Sequence, residues 1–279
     1  MGGFRKHRTG LAAYSHVLLL LAVLSMMCVE VSQTMSQASA QNRDRPATTI
    51  DYRTEQLAGT GRDLEMRFTA EQLAVLEKLN RADVVHLRQL DHLVVPSIWT
   101  SELQFSPFPA QYSAAAHIPK LLVVDQPAQA FAAYEDGRLV RWGPVSSGRE
   151  GRRTPSGLFH LNWRSRGRHS SANPKWYMEW YFNFDNIQGR SLHSYALPGY
   201  PASHSCIRLL ERDAIWIYQW GETWTLDARG AVAKEGTPLL VIGQYAFAEP
   251  RPWRSLEYLA HGVDLPVSLT RHGNDVTLD

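Results

Sequence analysis

A thiol and an imidazole stand thirteen positions apart in this sequence. Cys206 lies in the string Ser203-His204-Ser205-Cys206-Ile207-Arg208-Leu209, and His193 in Ser191-Leu192-His193-Ser194. A free thiol titrates near about 8.5, so only a few per cent of it is thiolate at neutral pH. An adjacent imidazole changes that, taking the proton as sulfur attacks and returning it to a leaving amine. The segment Leu197-Pro198-Gly199-Tyr200-Pro201 has the composition of a turn. It can fold His193, at the end of one strand, back on Cys206 at the start of the next element. Such a pair suits acyl transfer through a thioester. Blander readings exist: free cysteine is among the most buried residue types, and a lone histidine is more often structural. A metal site built from His193, His204 and Cys206 is a poor fit. Zinc takes four ligands, or three and a water, and the sequence has neither CxxC nor HExxH.

The cysteine count sharpens this. There are two cysteines, Cys28 and Cys206. Arg5, Lys6 and Arg8 precede an uncharged apolar run from Val17 to Val29, and Ala38-Ser39-Ala40 follows as a small-residue cleavage site. This is the layout of a secretory signal peptide over 1–40. The run is shorter than the roughly 20 residues that span a bilayer as a helix. An uncleaved anchor using Leu11 to Val31 is the alternative, and only in that case is the chain expected to associate with a membrane. Lipidation of Cys28 does not fit the bulky Met26-Met27 before it. In either case the body of the chain is expected outside the cytoplasm, in the periplasm or cell wall. Cleavage after Ala40 leaves Cys206 as a lone, potentially reactive thiol.

The elements that must position the pair follow from pattern. Residues 41–64 read as a linker. Thr69 caps a helix, with Gln72 completing a capping box and Leu73, Val75, Leu76 and Leu79 forming its apolar set. A second short helix over 84–90 and a strand at Leu93-Val94-Val95-Pro96 follow. The string LNRADVVHLRQLDHLVVP loosely resembles the second half of a LysM-type glycan-binding repeat; a support packed on the main domain is the simpler reading. Residues 97–117 form a connector within this 41–117 region. From Ile118 the texture becomes β. Strands are expected at 121–124, 129–134 and 139–146, the last two joined by a Glu135-Asp136-Gly137-Arg138 turn, and again at 157–163, 180–184 and 237–242. Residues 211–220 read as a helix, and 245–279 as a surface tail.

Through these motifs the chain resembles the L,D-transpeptidase catalytic domain family (YkuD type). That family carries a His, a gap and then [S/T]-H-G-C-x-[N/R]. Upstream, Ser146-Ser147-Gly148 and Thr154-Pro155-Ser156-Gly157-Leu158-Phe159 match its other ordered landmarks. The resemblance covers roughly 118–244. It implies a mainly β fold, a sandwich or partial barrel with a few helices. It implies Cys206 as nucleophile and His193 as base, oriented through its second ring nitrogen by a backbone carbonyl near Ser194. The backbone around Ser205 and Cys206 would form the oxyanion hole. Ser203 and His204 would shape the site, and Arg208 would hold a substrate carboxylate or carbonyl, or else make a structural salt bridge. Two departures stand out. Ser205 replaces the family's glycine and costs strain if that position needs φ > 0. The nine residues between His193 and Ser203 also make a shorter loop than the family's common form.

The implied activity is peptidoglycan cross-linking through a Cys206 thioester with stem peptides as donor and acceptor, acylation of the thiol by carbapenem-type β-lactams, and no cofactor. Water as acceptor makes an L,D-carboxypeptidase. A non-catalytic wall-binding protein is the rival. Residues 164–181, basic at the start and aromatic at the end, read as a lid over the substrate through Trp176, Tyr177 and Trp180, or else as core. A formal net charge of +2 and the absence of GxGxxG or GxxxxGK[ST] give no sign of a nucleic-acid or nucleotide partner.

Overall fold

The computed structural model describes residues 50–57, 63–272 and 275–278. The expected signal segment, 1–40, lies outside the described residues. The described residues open with β1 (Tyr52–Gln56), α1 (Leu64–Arg67), α2 (Ala70–Asn80), α3 (Val84–Leu87) and β2 (His92–Pro96). β1 and β2 pair antiparallel, from Tyr52↔Pro96 to Gln56↔His92. Thr69 caps α2, its side chain accepting from Gln72 N–H while the Gln72 side chain accepts from Thr69 N–H. Leu64, Leu76, Leu87, Leu93 and Val95 fill a small core between these elements.

Short 3-10 turns at Glu102–Phe105 and Ser113–Ala115 lead into the main sheet. Its strands are β3 (Leu121–Asp125), β4 (Ala130–Glu135), β5 (Arg138–Ser146), β6 (Gly157–His160), β7 (Arg164–His169), β8 (Tyr177–Asp185), β9 (Arg190–Ser194) and β10 (Ile207–Leu209). After α4 (Glu211–Trp220) come the small β11 (Thr225–Leu226) and β12 (Val232–Lys234), then β13 (Pro238–Ile242). The nine strands lie in the order β6-β13-β3-β4-β5-β10-β9-β8-β7. Two neighbouring pairs are parallel, β13 with β3 and β10 with β9. The sheet curls until Phe159 of the edge strand β6 meets Phe184 of β8, ring centroids 5.3 Å apart. The molecule is mainly β, and the curled sheet is the partial barrel expected from the resemblance. Among the described residues no helix is long and apolar enough to cross a membrane.

Strand alternation divides the side chains of β3 between two cores. Leu121 and Val123 face α2, where Val75 and Leu79 join them. Leu122 and Val124 face Phe182, Ile207 and Ile217 of α4. Both faces of β3 are therefore covered, which accounts for its unbroken apolar run. The connector contributes Phe105, Phe108 and Tyr112 to the first core.

Residues 245–279 are more than a surface tail. They form a 3-10 turn (Pro252–Arg254), α5 (Leu256–His261) and a hairpin of β14 (Leu269–His272) and β15 (Asp275–Leu278). Trp253 is completely buried, and Leu269 enters the first core. Arg81, buried at the end of α2, ties the parts together. Its Nε donates to Ala128 O at 2.8 Å. Its guanidinium lies 5.6 Å from the Trp142 ring and 5.9 Å from the Trp253 ring. Nearby, Lys78 Nζ donates to Trp142 O at 2.6 Å, and burial pushes this amine down to about 7.

Candidate functional site

The site forms where β9 and β10 run side by side. Their register pairs Leu192 with Ile207 and His193 with Arg208, so Cys206 sits immediately before β10 and level with Ser191, near the start of β9. Leu192 points into the second core. By alternation Ser191 and His193 point the other way, toward the cavity and the thiol.

His193 is 4% exposed. Its Nδ1 lies 3.0 Å from the Ser194 carbonyl oxygen. A carbonyl only accepts, so Nδ1 carries the proton and Nε2 is left as a lone-pair acceptor. Burial pushes the imidazole down to about 4, outweighing the Ser194 contact, and Arg208 pushes the same way. Cys206 is a half-buried free thiol. Burial pushes it up, opposed by hydrogen bonding from Ser191 and by the charges of Arg190 and Arg208. Both members of the pair are thus neutral at neutral pH, with one proton available to move from sulfur to nitrogen.

The turn before Cys206 is held by the upstream landmarks. Ser203 N–H donates to Ser147 O, and Arg149 N–H donates to Ser203 O, each at 3.0 Å. The Ser203 hydroxyl donates to the Cys206 carbonyl. Thr154 Oγ1 accepts from Gly148 N–H at 2.9 Å and donates to Ser205 O at 3.1 Å. A Cβ on Gly148 would lie 2.1 Å from Arg152 O, so only glycine fits there. Ser205 has φ 82, the left-handed conformation in which a side chain is strained. The departure from glycine therefore falls on a backbone position that glycine would occupy freely.

The cavity above the thiol, about 540 Å³ including space open to solvent, is lined by His193, Ser203, His204, Ser205, Cys206 and Arg208, with Trp176 on one wall. The Trp176 and His204 rings pack with centroids 5.2 Å apart. His204 is pushed down by burial and by Arg149, Arg152 and Arg208. Arg208 lies 4.6 Å from the Tyr195 ring and donates from Nη1 to Ala196 O at 3.3 Å, so the structural role it takes is a carbonyl contact and a ring contact. Ser194 contributes its carbonyl from outside the lining. Among the described residues no group of three or more His, Cys, Asp or Glu is disposed to hold a metal ion.

Two expected contacts are corrected. Tyr177 and Trp180 do not line the cavity. Residues 164–181 form not a loop but the β7–β8 hairpin, whose tip at Ser170, Ser171 and Ala172 does reach the cavity. Met178 faces inward, so its neighbour Tyr177 faces out, its ring 5.0 Å from that of His169. Alternation would return Trp180 to the inner face. A register shift between Glu179 and Phe182, with φ 53 at Trp180, turns it away. Its ring instead lies 3.1 Å from the Arg166 guanidinium.

Outside 164–181, sequence reasoning missed the lining positions Tyr195, Gln188 and Gly189, along with Ser191, whose hydroxyl donates to Cys206 Sγ at 3.6 Å. Its place two residues before His193 on one strand was the available signal.

Residues 119–241 match the family model of the L,D-transpeptidase catalytic domain, YkuD. His193 and Cys206 both lie within the matched residues. Similar solved structures include an L,D-transpeptidase from Stackebrandtia nassauensis at 24% identity and TM-score 0.37, covering 46% of this chain and 57% of that one. One from Mycobacterium smegmatis shares 21% identity at TM-score 0.36, covering 45% and 59%. The LD transpeptidase LdtMt1, solved in complex with imipenem, shares 21% at TM-score 0.36, covering 44% and 59%. The chain spans under two thirds of the length of each. No curated protein matches it.

Proposed function

We propose that this chain is a peptidoglycan L,D-transpeptidase that works outside the cytoplasm behind an N-terminal export signal. The observation that carries the reading is the His193 tautomer: the Ser194 carbonyl holds the proton on Nδ1 and leaves Nε2 free, on the strand beside Cys206. In the proposed reaction the Cys206 proton passes to Nε2 as sulfur bonds to the donor carbonyl carbon. The resulting oxyanion is met by backbone N–H groups around Ser205 and Cys206. Collapse breaks the peptide C–N bond, and the imidazolium returns its proton to the departing D-amino acid. An acceptor amine on a second stem peptide then displaces sulfur, forming the cross-link and restoring the thiol. Arg208 and Trp176, which both line the cavity, contact the stem peptide, and His204, packed on the Trp176 ring, shapes the wall. No cofactor takes part in these steps.

Intact-mass analysis tests this. The full-length protein and Cys206→Ala are incubated separately with imipenem and with a disaccharide tetrapeptide. A stoichiometric adduct on the parent protein alone, with release of the terminal D-residue, is expected. A folded protein that gives neither adduct nor release would sink the reading in favour of wall binding. Release without cross-linked product would make the acceptor water.

A further inference from the structure

We infer that Ser191 is a third member of the catalytic group, its hydroxyl acting as the hydrogen-bond donor that holds the Cys206 sulfur once it is ionised. The inference deepens the proposed reaction and rests on Cys206 being its nucleophile.

The geometry is direct. Ser191 Oγ lies 3.6 Å from Cys206 Sγ, and among the described residues this is the hydroxyl's only hydrogen bond. Ser191 is 0% exposed. It shares a face of β9 with His193, so one strand aims a proton acceptor and a proton donor at the same sulfur. A buried hydroxyl ordinarily finds a good acceptor. A neutral thiol is a weak one. The arrangement is therefore a poor one while sulfur is protonated and a good one when it is charged, since hydrogen bonds to ions are about twice as strong. The need for a donor is clear from the surroundings. His193 is a weak base here, and burial disfavours the thiolate. Arg190 on β9 and Arg208 on β10 supply positive charge around the thiol, and His204 lies on the turn before it. Ser191 is the donor in contact with the sulfur itself. Transfer of the proton from Sγ to Nε2 leaves one thiolate and one imidazolium, and the Ser191 proton stays on oxygen throughout.

Alkylation of Cys206 in the full-length protein by iodoacetamide reads this independently of any wall substrate. The rate is followed from pH 5 to 10 by mass spectrometry of the Cys206 peptide, which separates it from Cys28. Ser191→Ala is expected to move the profile to higher pH and slow alkylation at neutral pH by about tenfold. The pair Ser191→Thr and Ser191→Val differ by a hydroxyl against a methyl in the same volume. The Thr variant should retain the faster reaction and the lower-pH profile. Equal profiles for Thr and Val, or a parent-like profile for Ala, would overturn the inference. A parent protein that neither takes up imipenem nor turns over the tetrapeptide, yet shows the Thr–Val difference, would remove the transpeptidase reading and leave Ser191's role at the thiol intact.

Discussion

Asp83 and Leu197 exchange hydrogen bonds in both directions. Asp83 N–H donates to Leu197 O at 3.0 Å, and Leu197 N–H donates to the Asp83 carboxylate at 2.8 Å. The neighbouring Ala82 and Pro198 form an isolated bridge. The N-terminal helices thereby fix the short loop that connects His193 to Ser203. The other carboxylate oxygen of Asp83 caps α3 through His86 N–H at 3.0 Å.

Asp83 can therefore be divided by substitution. Asp83→Ala removes both functions and should cost about 2 kcal/mol. Asp83→Ser keeps a capping oxygen but cannot reach Leu197. It should recover part of the stability while acylation by imipenem stays slow. Urea midpoints and adduct formation rates measure the two effects. Equal acylation by the parent and Asp83→Ser would show that the loop holds itself.

The His193 imidazole, pushed down to about 4 from 6.5, makes stability depend on acid. Below about 6.5 the unfolded chain takes up a proton that the folded chain refuses, so stability falls with pH and levels off below about 4. At about 1.4 kcal/mol for each factor of ten, the full loss is roughly 3 kcal/mol. Asp125, pushed up to about 6, acts in the opposite sense, its contribution being lost as pH rises through that value. The His193 part is isolated by comparing urea midpoints at pH 7 and pH 4.5 for the parent and His193→Gln. The variant should lose less stability on acidification.

Ser205→Gly should relieve the strain at φ 82. Glycine gives back some of this through greater freedom in the unfolded chain, leaving a net stabilisation of about 0.5–1 kcal/mol. A small rise in Tm with imipenem acylation preserved is the expected result. A fall in Tm would mean that the Ser205 side chain makes a compensating contact.

Trp176 and Tyr177 are adjacent but should behave differently. Trp176→Ala opens one wall of the cavity and should slow imipenem acylation several-fold with little change in Tm. Tyr177→Ala removes an outward ring and should leave acylation alone. If the two variants slow it equally, the hairpin acts through its position rather than through the indole.

What could be read from sequence was what is locally encoded. The capping box at Thr69 and Gln72 and the helix from Glu211 to Trp220 both appear at the expected residues. The β5 strand and the turn before it follow from alternation and a glycine. The 164–181 hairpin was missed because Arg164-Ser165-Arg166-Gly167-Arg168 lacks the branched and aromatic residues that mark a buried strand; β7 is an edge strand with its arginines exposed. Trp180 was misplaced because a bulge breaks the alternation that any sequence reading relies on. At the site, the His193–Cys206 pair was visible as residue types in a motif. Ser191 is marked only by its place two residues before His193, and Asp83 carries no mark, because their importance arises from contacts made across the fold.

The position of β13 sets the order in which this chain can fold. Residues 238–242 slot between β6 and β3, pairing Leu239 with Phe159 on one side and with Leu122 on the other. Until that late segment exists, β3 and β6 have no neighbour to join them and the second core lacks Leu239 and Val241. Contacts so distant along the chain form slowly. During synthesis the polypeptide should remain pliable and threadable until residues 238–242 emerge, and the Cys206 thiol should acquire its full surroundings only then.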